Sequence, residues 1–268
     1  VDKENGNYDY LMGADIDFNN PEVVEELKKW GKWYLDFTKV DSFRLDAVKH
    51  IKSGFMADWI TTMRKEKSDL QCVGEYWSRD LEVLKHYIDK TNSCIPLFDV
   101  PLHYNFYEAS SSNGNFDMAK ILDNTLVKEM PNLAVTFVDN HDTEPGQALC
   151  SWVQEWFKPL AYSIILLRKE GLPCVFYGDY YGIESQQINA QKDMLEKIMN
   201  VRRQYAYGEQ IDYFNDFNII AWVRTGDSKC PNSGLVAIMS DGPGGGKNIN
   251  VGNELADSIF YDYLGNVN

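Results

Sequence analysis

The fold is decided by a short run at residues 42–48, SFRLDAV, in which the apolar residues alternate with the charged Arg44 and Asp46. Four further apolar runs follow along the chain, at residues 71–77, 96–100, 133–138 and 173–178. Each is followed by a stretch in which apolar side chains are spaced as in a helix. Short buried strands that alternate with helices pair in parallel, so the pattern predicts an α/β fold.

The clearest predicted helix begins at residues 20–22, Asn-Pro-Glu. Asn can cap the helix, Pro suits the first helical position and Glu suits the first turn. From Val23 to Phe37 the apolar residues recur at steps of three and four, which predicts one buried face and a helix extending to about Thr38. Further helices are predicted near residues 55–67, 81–89, 118–128, 157–170 and 190–204.

The spacing of the runs favours a barrel over an open sheet. Asp46 and Gly178 are 132 residues apart over four strand-to-strand steps, or 33 per step. A (β/α)8 barrel of about 250 residues averages roughly 31 per unit. Five units cannot close an eight-stranded barrel, so we expect strands 4–8 of a (β/α)8 TIM barrel here and three strands before residue 1.

The pattern changes after about Ala206. Residues 219–224 and 235–239 are predicted strands, separated by Gly, Asp, Asn and Pro without an intervening helix. This arrangement predicts antiparallel pairing. We therefore divide the chain into residues 1–206, the C-terminal part of the barrel domain, and residues 207–268, a truncated antiparallel β domain.

The composition argues against several classes of partner. The chain has 40 Asp and Glu against 26 Lys and Arg, a net charge of −14, which repels nucleic acids and anionic membranes. No apolar run approaches the roughly 18 residues of a membrane helix. We expect a monomer with neither nucleic acid nor membrane as partner. Five scattered cysteines, without disulfide or zinc spacing, favour a reducing compartment.

Acidic residues stand at or just beyond the carboxyl ends of three predicted strands: Asp46, Glu75 and Asp142. In a βα barrel the chemistry belongs at this edge of the sheet. A capping or turn role would explain any one of the three alone. Three acids on one sheet, two of them close to Arg44 or His141, point instead to a functional site.

Two carboxyl groups with a cationic helper are suited to cleaving a glycosidic bond. Asp46 can attack the anomeric carbon, because Arg44, two residues earlier on the same strand face, can keep it ionised. Glu75 is followed by Tyr76 and Trp77, whose rings would favour the protonated form that a general acid needs.

Three motifs together resemble the α-amylase family of glycoside hydrolases. They are FRLDAVKH at 43–50, GEYW at 74–77 and FVDNHDT at 137–143, in the family's order and at compatible spacing. A closer resemblance, to the bacterial liquefying α-amylases, covers nearly the whole chain. It includes YLMGADID at 10–17, FDVPLHY at 98–104, WFKPLAY at 156–162 and SDGPGG at 240–245.

The resemblance implies retaining endo-hydrolysis of internal α-1,4-glucosidic bonds, with starch and malto-oligosaccharides as partners. By motif position it makes Asp46 the nucleophile, Glu75 the general acid/base and Asp142 the stabiliser of the distorted sugar. It further implies four substrate-binding residues, Arg44, Lys49, His141 and Trp77.

Calcium is the cofactor that the resemblance implies. Asp9, Asp15 and Asp17 carry the carboxylates that Ca²⁺ prefers. Their spacing is not that of an EF-hand, and a solvated acidic loop is the other interpretation. In the resembled amylases the matching positions bind calcium together with the backbone carbonyl of the residue that matches His50.

Two other functions stay open. A related transglycosylase or maltooligosaccharide-producing amylase would act on the same bonds. A non-catalytic, amylase-like carbohydrate-binding protein is disfavoured, because such relatives lose the acids that are present here. The chain resembles a fragment that lacks the N-terminal barrel strands and an inserted domain, so we expect the isolated segment to be inactive. The resembled amylases are often secreted, so secreted and cytoplasmic locations both stay open.

Overall fold

The computed structural model describes residues 16–265. The chain divides into two compact units. The first consists of Val1–Pro101 and Asn132–Val135, and the second of Leu102–Pro131 and Thr136–Asn268. Within residues 16–265 no helix is both long and apolar enough to cross a membrane.

The first unit alternates helices with parallel strands. Its helices are α1 Pro21–Thr38, α2 Ser53–Glu66 and α3 Leu81–Lys90. Its strands are β1 Ser42–Leu45, β2 Gln71–Gly74, β3 Leu97–Phe98 and the first half of β4 Ala134–Phe137. These strands are neighbours in that order, and the pairs β1–β2, β2–β3 and β3–β4 are parallel.

Helix α1 begins as its sequence predicts, but the face expected to be buried was wrong. Trp30 and Phe37 are 51% and 72% exposed, and the buried residues of the helix are Gly31 and Leu35. The Asn20 side chain accepts the backbone N–H of Glu22 at 3.0 Å, and Pro21 occupies the first turn. Gly31 is buried against α2, where a Cβ atom would lie 2.6 Å from the Trp59 ring. Glycine at this position therefore permits the close approach of the two helices.

The second unit contains the remaining helices and strands. Its helices are α4 Val100–Ser111, which starts two residues before the unit, α5 Leu126–Glu129, α6 Lys158–Leu167, α7 Tyr177–Tyr181 and α8 Lys192–Tyr205. Strand β5 Leu172–Cys174 neighbours β4. An antiparallel sheet follows in the order β6 Gln210–Tyr213, β7 Ile219–Arg224 and β8 Leu235–Ser240.

These elements confirm the predicted α/β class followed by an antiparallel sheet. One local prediction was wrong, and one strand was missed. The single helix expected near 118–128 is a 3-10 turn at Met118–Lys120 and the short α5, whereas the long helix, α4, lies earlier. Strand β6 was not predicted. The division at 206/207 stays a prediction.

Candidate active site

Asp46 and Glu75 occupy equivalent positions on neighbouring parallel strands. Leu45, the last residue of β1, is the register partner of Gly74, the last residue of β2. Asp46 and Glu75 are the next residues along each strand. Neighbouring strands lie about 4.8 Å apart, so the sheet places the backbones of the two acids side by side at its carboxyl edge.

Glu75 is fastened to the segment that follows Asp46. Its Oε2 accepts the backbone N–H of Ala47 at 2.9 Å. Its own N–H donates to the carbonyl of Leu45 at 2.9 Å, and its carbonyl accepts the N–H of Val48 at 3.0 Å. Only 7% of Glu75 is exposed. The side chain is therefore held by the neighbouring strand end and shielded from bulk water.

Ala47 turns the chain sharply after Asp46. Its φ of 46° and ψ of 41° lie in the left-handed region, which is uncommon for a residue other than glycine. The turn leads directly into a 3-10 segment at Val48–His50. Strain of this kind is found at functional sites, and here it directs Ala47 N–H toward Glu75.

Asp46 has a different environment from Glu75. Its Oδ1 forms an ion pair with Nη1 of Arg44, as predicted from their spacing. Its side chain is 74% exposed, so it is accessible from solvent. One buried and one exposed carboxyl group in the same site is the arrangement by which enzymes give two acids two roles.

Close packing fixes the strand end that carries Glu75. A Cβ atom on Gly74 would come within 2.9 Å of the Leu97 side chain and 3.0 Å of Ile95. The segment after Glu75 is held as well: Tyr76 packs on Tyr87 of α3, with ring centroids 5.1 Å apart.

Lys49 and Trp77, both predicted substrate-binding residues, lie close together. Nζ of Lys49 donates to the backbone carbonyl of Trp77 at 3.5 Å. Both residues are partly exposed. The structure thus joins the segment after Asp46 to the segment after Glu75 at a second point.

In the second unit, Asp142 and His141 lie on a tight turn. The Asn140 side chain accepts the N–H groups of Asp142 and Thr143 at 2.9 and 3.0 Å. Nε2 of His141 lies 3.3 Å from Oδ2 of Asp142, and both side chains are well exposed. An Asn side chain that binds the backbone two residues later stabilises such a turn.

A buried ion cluster anchors this turn, and sequence reasoning missed it. Lys158 and Asp179 form an ion pair, Lys158 Nζ also lies 3.2 Å from Asp139 Oδ2, and the side chains of all three are fully buried. Asp139 in turn accepts the hydroxyl of Thr143 at 2.9 Å. Burial raises the pKa of Asp139, and the Lys158 charge opposes that shift.

Two further contacts complete the cluster. The Tyr162 hydroxyl donates to Asp179 at 2.5 Å, and the Lys158 ammonium lies 3.2 Å from the centre of the Trp152 ring. A lone Lys within the apolar stretch 157–167 was the available sequence signal. A lysine in such a stretch is buried only when it is paired.

The predicted calcium ligands are described only in part. Asp9 and Asp15 lie outside the described residues. Asp17 is exposed, and its Oδ1 accepts both the backbone and side-chain N–H groups of Asn19, at 3.0 and 3.1 Å. These bonds lower the pKa of Asp17. Within residues 16–265 no group of three His, Cys, Asp or Glu side chains could hold a metal ion.

An ionised carboxylate is nevertheless the right chemistry for a calcium ligand. Among the described residues, Oδ2 of Asp17 has no hydrogen-bond partner, so it is available to a cation. Asp17 therefore fits a calcium site to which other residues contribute.

The family model "Alpha amylase, catalytic domain" matches residues 7–216. The chain is 58% identical to the "Alpha-amylase" of Geobacillus stearothermophilus, over 99% of this chain and 49% of the relative. It is 52% identical to the "Glucan 1,4-alpha-maltohexaosidase" of Bacillus sp. strain 707, over 99% of this chain and 52% of the relative. The chain thus spans about half the length of the curated relatives it matches.

A solved structure shows the same fold. It is the α-amylase of Geobacillus thermoleovorans in complex with acarbose, with a TM-score of 0.62 at 21% identity, over 78% of this chain and 51% of that chain. The likeness confirms the prediction that the parallel strands are those of an amylase-type (β/α)8 barrel. With the family model matching most of its length, this chain belongs to the α-amylase family of glycoside hydrolases.

Proposed function

We propose that the protein carrying this chain hydrolyses internal α-1,4-glucosidic bonds in starch and malto-oligosaccharides with retention of configuration. The observation that carries the proposal is the register of β1 and β2, which puts Asp46 and Glu75 at equivalent positions of adjacent strands. Family membership supports the substrate class.

The environments of the two acids support their roles. Asp46, exposed and paired with Arg44, suits a nucleophile that attacks the anomeric carbon as its bond to the leaving oxygen breaks. Glu75, buried, suits the acid that protonates that oxygen. A water molecule then attacks the glycosyl–Asp46 ester, Glu75 takes its proton, and the sugar leaves with its original anomeric configuration.

Family membership supports retention over inversion. Retaining glycosidases hold their carboxyl groups about 5–5.5 Å apart, whereas inverting enzymes separate them by about 6.5–9.5 Å to admit a water molecule. Equivalent positions on adjacent parallel strands, whose backbones lie about 4.8 Å apart, allow the shorter carboxyl separation.

Asp142 is proposed to stabilise the distorted sugar, and Arg44 and His141 to hold it. Lys49 and Trp77 would line the leaving-group side. The contacts Arg44–Asp46, His141–Asp142 and Lys49–Trp77 support these roles, because each places a binding residue beside a segment that carries an acid.

The stereochemistry of the first product tests the proposal. Proton NMR of a malto-oligosaccharide digest should show the α-anomer before mutarotation. Asp46→Asn should lower kcat at least a hundredfold while leaving oligosaccharide binding intact, whereas Asp89→Asn, an exposed site on α3, should not. An initial β-anomer would overturn the retaining mechanism, and a rate above about a hundredth of wild type would exclude Asp46 as nucleophile.

A maltooligosaccharide-producing amylase is the second candidate, because one relative at 52% identity is named a maltohexaosidase. Chromatography of the products decides between the two: a dominant product of one length favours this candidate, and a broad range favours a liquefying amylase.

We expect the protein to act as a monomer, without nucleic acid or membrane.

Calcium is proposed as the structural cofactor, held by the carboxylates of Asp9, Asp15 and Asp17 and by the backbone carbonyl of His50. The ionised, exposed carboxylate of Asp17 supports this assignment. When bound, the ion would neutralise these acids and tie the segment before α1 to the segment after β1.

A further inference from the structure

A basic groove lies in the second unit, although the protein as a whole has a net charge of −14. Its volume is about 450 Å³, within the range of small-molecule sites. Five cationic side chains line it: Arg168, Lys169, Arg202, Arg203 and Arg224. Such a concentration of positive charge is costly unless anions balance it.

Nearby carboxylates balance only two of the five cations. Arg168 forms a two-point ion pair with Asp212, at 2.7 and 2.8 Å, and also lies 3.2 Å from Glu170. Lys169 lies 2.8 Å from Glu209. The other three, among residues 16–265, form hydrogen bonds only to neutral oxygens and have no carboxylate within ion-pair distance: Arg202, Arg203 and Arg224.

Two of these arginines bind the carboxyl end of α6. Arg202 donates to the carbonyl of Leu166 at 2.5 Å, and Arg224 donates to the carbonyl of Leu167 at 3.5 Å. A helix carboxyl end carries roughly half a negative charge. These carbonyls explain why two arginines are placed here, but they do not neutralise both.

Arg224 shows the resulting imbalance most clearly, because only 6% of it is exposed. Burial lowers its pKa; repulsion from Arg202 and Arg168 acts in the same direction, and attraction to Glu170 and Glu209 opposes it. A buried guanidinium among other guanidiniums, without its own carboxylate, is a site that a bound anion would stabilise.

Arg202, which lines the groove, has unused hydrogen-bond donors. A guanidinium has five N–H donors, and Arg202 uses Nη1 for the Leu166 carbonyl. Its Nε and Nη2 have no acceptor among the described residues, yet they are not enclosed. Because Arg202 lines the groove, these donors are available to a ligand there.

We propose that this groove binds a small phosphate-bearing ligand, either inorganic phosphate or the phosphate monoester of a sugar, through Arg202, Arg203 and Arg224. A guanidinium group can donate two parallel hydrogen bonds to two oxygens of one phosphate group. A spherical ion such as chloride has no such pair of acceptors. The ring of Tyr207, also in the lining, provides a surface for the organic part of an ester.

Titration calorimetry of the protein carrying this chain tests the inference, using inorganic phosphate, glucose 6-phosphate and glucose at constant ionic strength in chloride. We expect saturable binding of both phosphate compounds and none of glucose. Arg202→Gln and Arg203→Gln should each weaken binding about tenfold or more, as expected for losing a charged hydrogen bond. Tighter binding of glucose 6-phosphate than of phosphate would identify an ester as the ligand.

Lys65→Gln is the matched control, because Lys65 is an exposed cation on α2, in the first unit. It should leave the affinity unchanged. If Arg202→Gln loosens α6, its loss of affinity has a second explanation. Arg203 is exposed, so Arg203→Gln tests the groove without that complication. Absence of saturable phosphate binding, or unchanged affinity in both arginine variants, would overturn the inference. The readout is binding, so it does not depend on the proposed hydrolysis.

Discussion

The carboxyl group of Glu75 accepts a hydrogen bond from the backbone N–H of Ala47, at 2.9 Å, and so connects the two neighbouring strand ends of the site. Ala47 directly follows Asp46, the proposed nucleophile. The position of the proposed acid is thereby coupled to the backbone turn that presents the nucleophile.

The Glu75→Gln variant should keep the fold but lack the proton donor for the leaving oxygen. An amide oxygen can still accept the Ala47 N–H, so the melting temperature should change little. Turnover of starch should fall about 10²–10⁴-fold, the usual contribution of general acid–base catalysis. A maltosyl fluoride, whose leaving group needs no proton, should still glycosylate Asp46 at a substantial rate in a stopped-flow assay.

Glu129→Gln is the control for this variant, because Glu129 is an exposed glutamate on α5. Glu129→Gln should leave the turnover of starch and the reaction with the maltosyl fluoride unchanged. Equal losses on starch and on the fluoride in Glu75→Gln would show that Glu75 is not the acid.

Lys158→Met should destabilise the protein by about 3–5 kcal/mol, because it leaves Asp139 and Asp179 buried without their cation. Urea unfolding measures the change. Lys192→Met, which removes a half-exposed lysine 3.8 Å from Glu196, should cost less than about 1 kcal/mol.

A double variant shows that the loss arises from the ion cluster. Asp179→Asn removes one of the two uncompensated charges, so adding it to Lys158→Met should recover part of the lost stability. If the losses of stability in the two single variants simply add up in the double variant, Lys158 and Asp179 are not energetically coupled.

The sequence predicted the parts of this site that lie in local patterns. The strand ends of Asp46 and Glu75 follow from apolar runs that finish in acids, and α1 follows from its cap and its spacing. Arg44 was placed beside Asp46 because alternate residues of a strand share a face.

Helix α4 and the Lys158 cluster depend on information that is not local. α4 is rich in Tyr, His, Asn and Phe, which have only moderate helix propensity, and burial of its apolar side chains stabilises it. Asp99 followed by Pro101 was an available start signal. Lys158 and Asp179 are 21 residues apart, and only the folded chain brings them together.

Ala47→Gly should be tolerated, whereas Ala47→Val should not. Glycine adopts positive φ freely, so it should relieve strain in the folded chain, but it also makes the unfolded chain more flexible. The two effects should nearly cancel, so the free energy of unfolding should change by less than about 1 kcal/mol. Valine is β-branched and should destabilise the turn by roughly 2 kcal/mol or more. Because the turn follows Asp46, kcat should fall with valine and persist with glycine. Thermal unfolding and starch hydrolysis measure both effects, and equal behaviour of the two variants would show that the backbone conformation of Ala47 does not matter.

Removal of calcium should lower the melting temperature, since an ion that binds only the folded state stabilises it by about 2.7 kcal/mol at a hundred times its dissociation constant. Asp17 has a lowered pKa because Asn19 donates to it, so it should stay ionised and keep its affinity into mildly acidic solution. Scanning calorimetry with EGTA, then with added Ca²⁺ or Mg²⁺, measures the loss and its selective recovery. Asp17→Asn should weaken the Ca²⁺ response, whereas Asp69→Asn, another exposed aspartate, should retain it. A melting temperature that EGTA leaves unchanged would mean that Asp9, Asp15 and Asp17 are not calcium ligands, and that the acidic segment before α1 is a solvated loop.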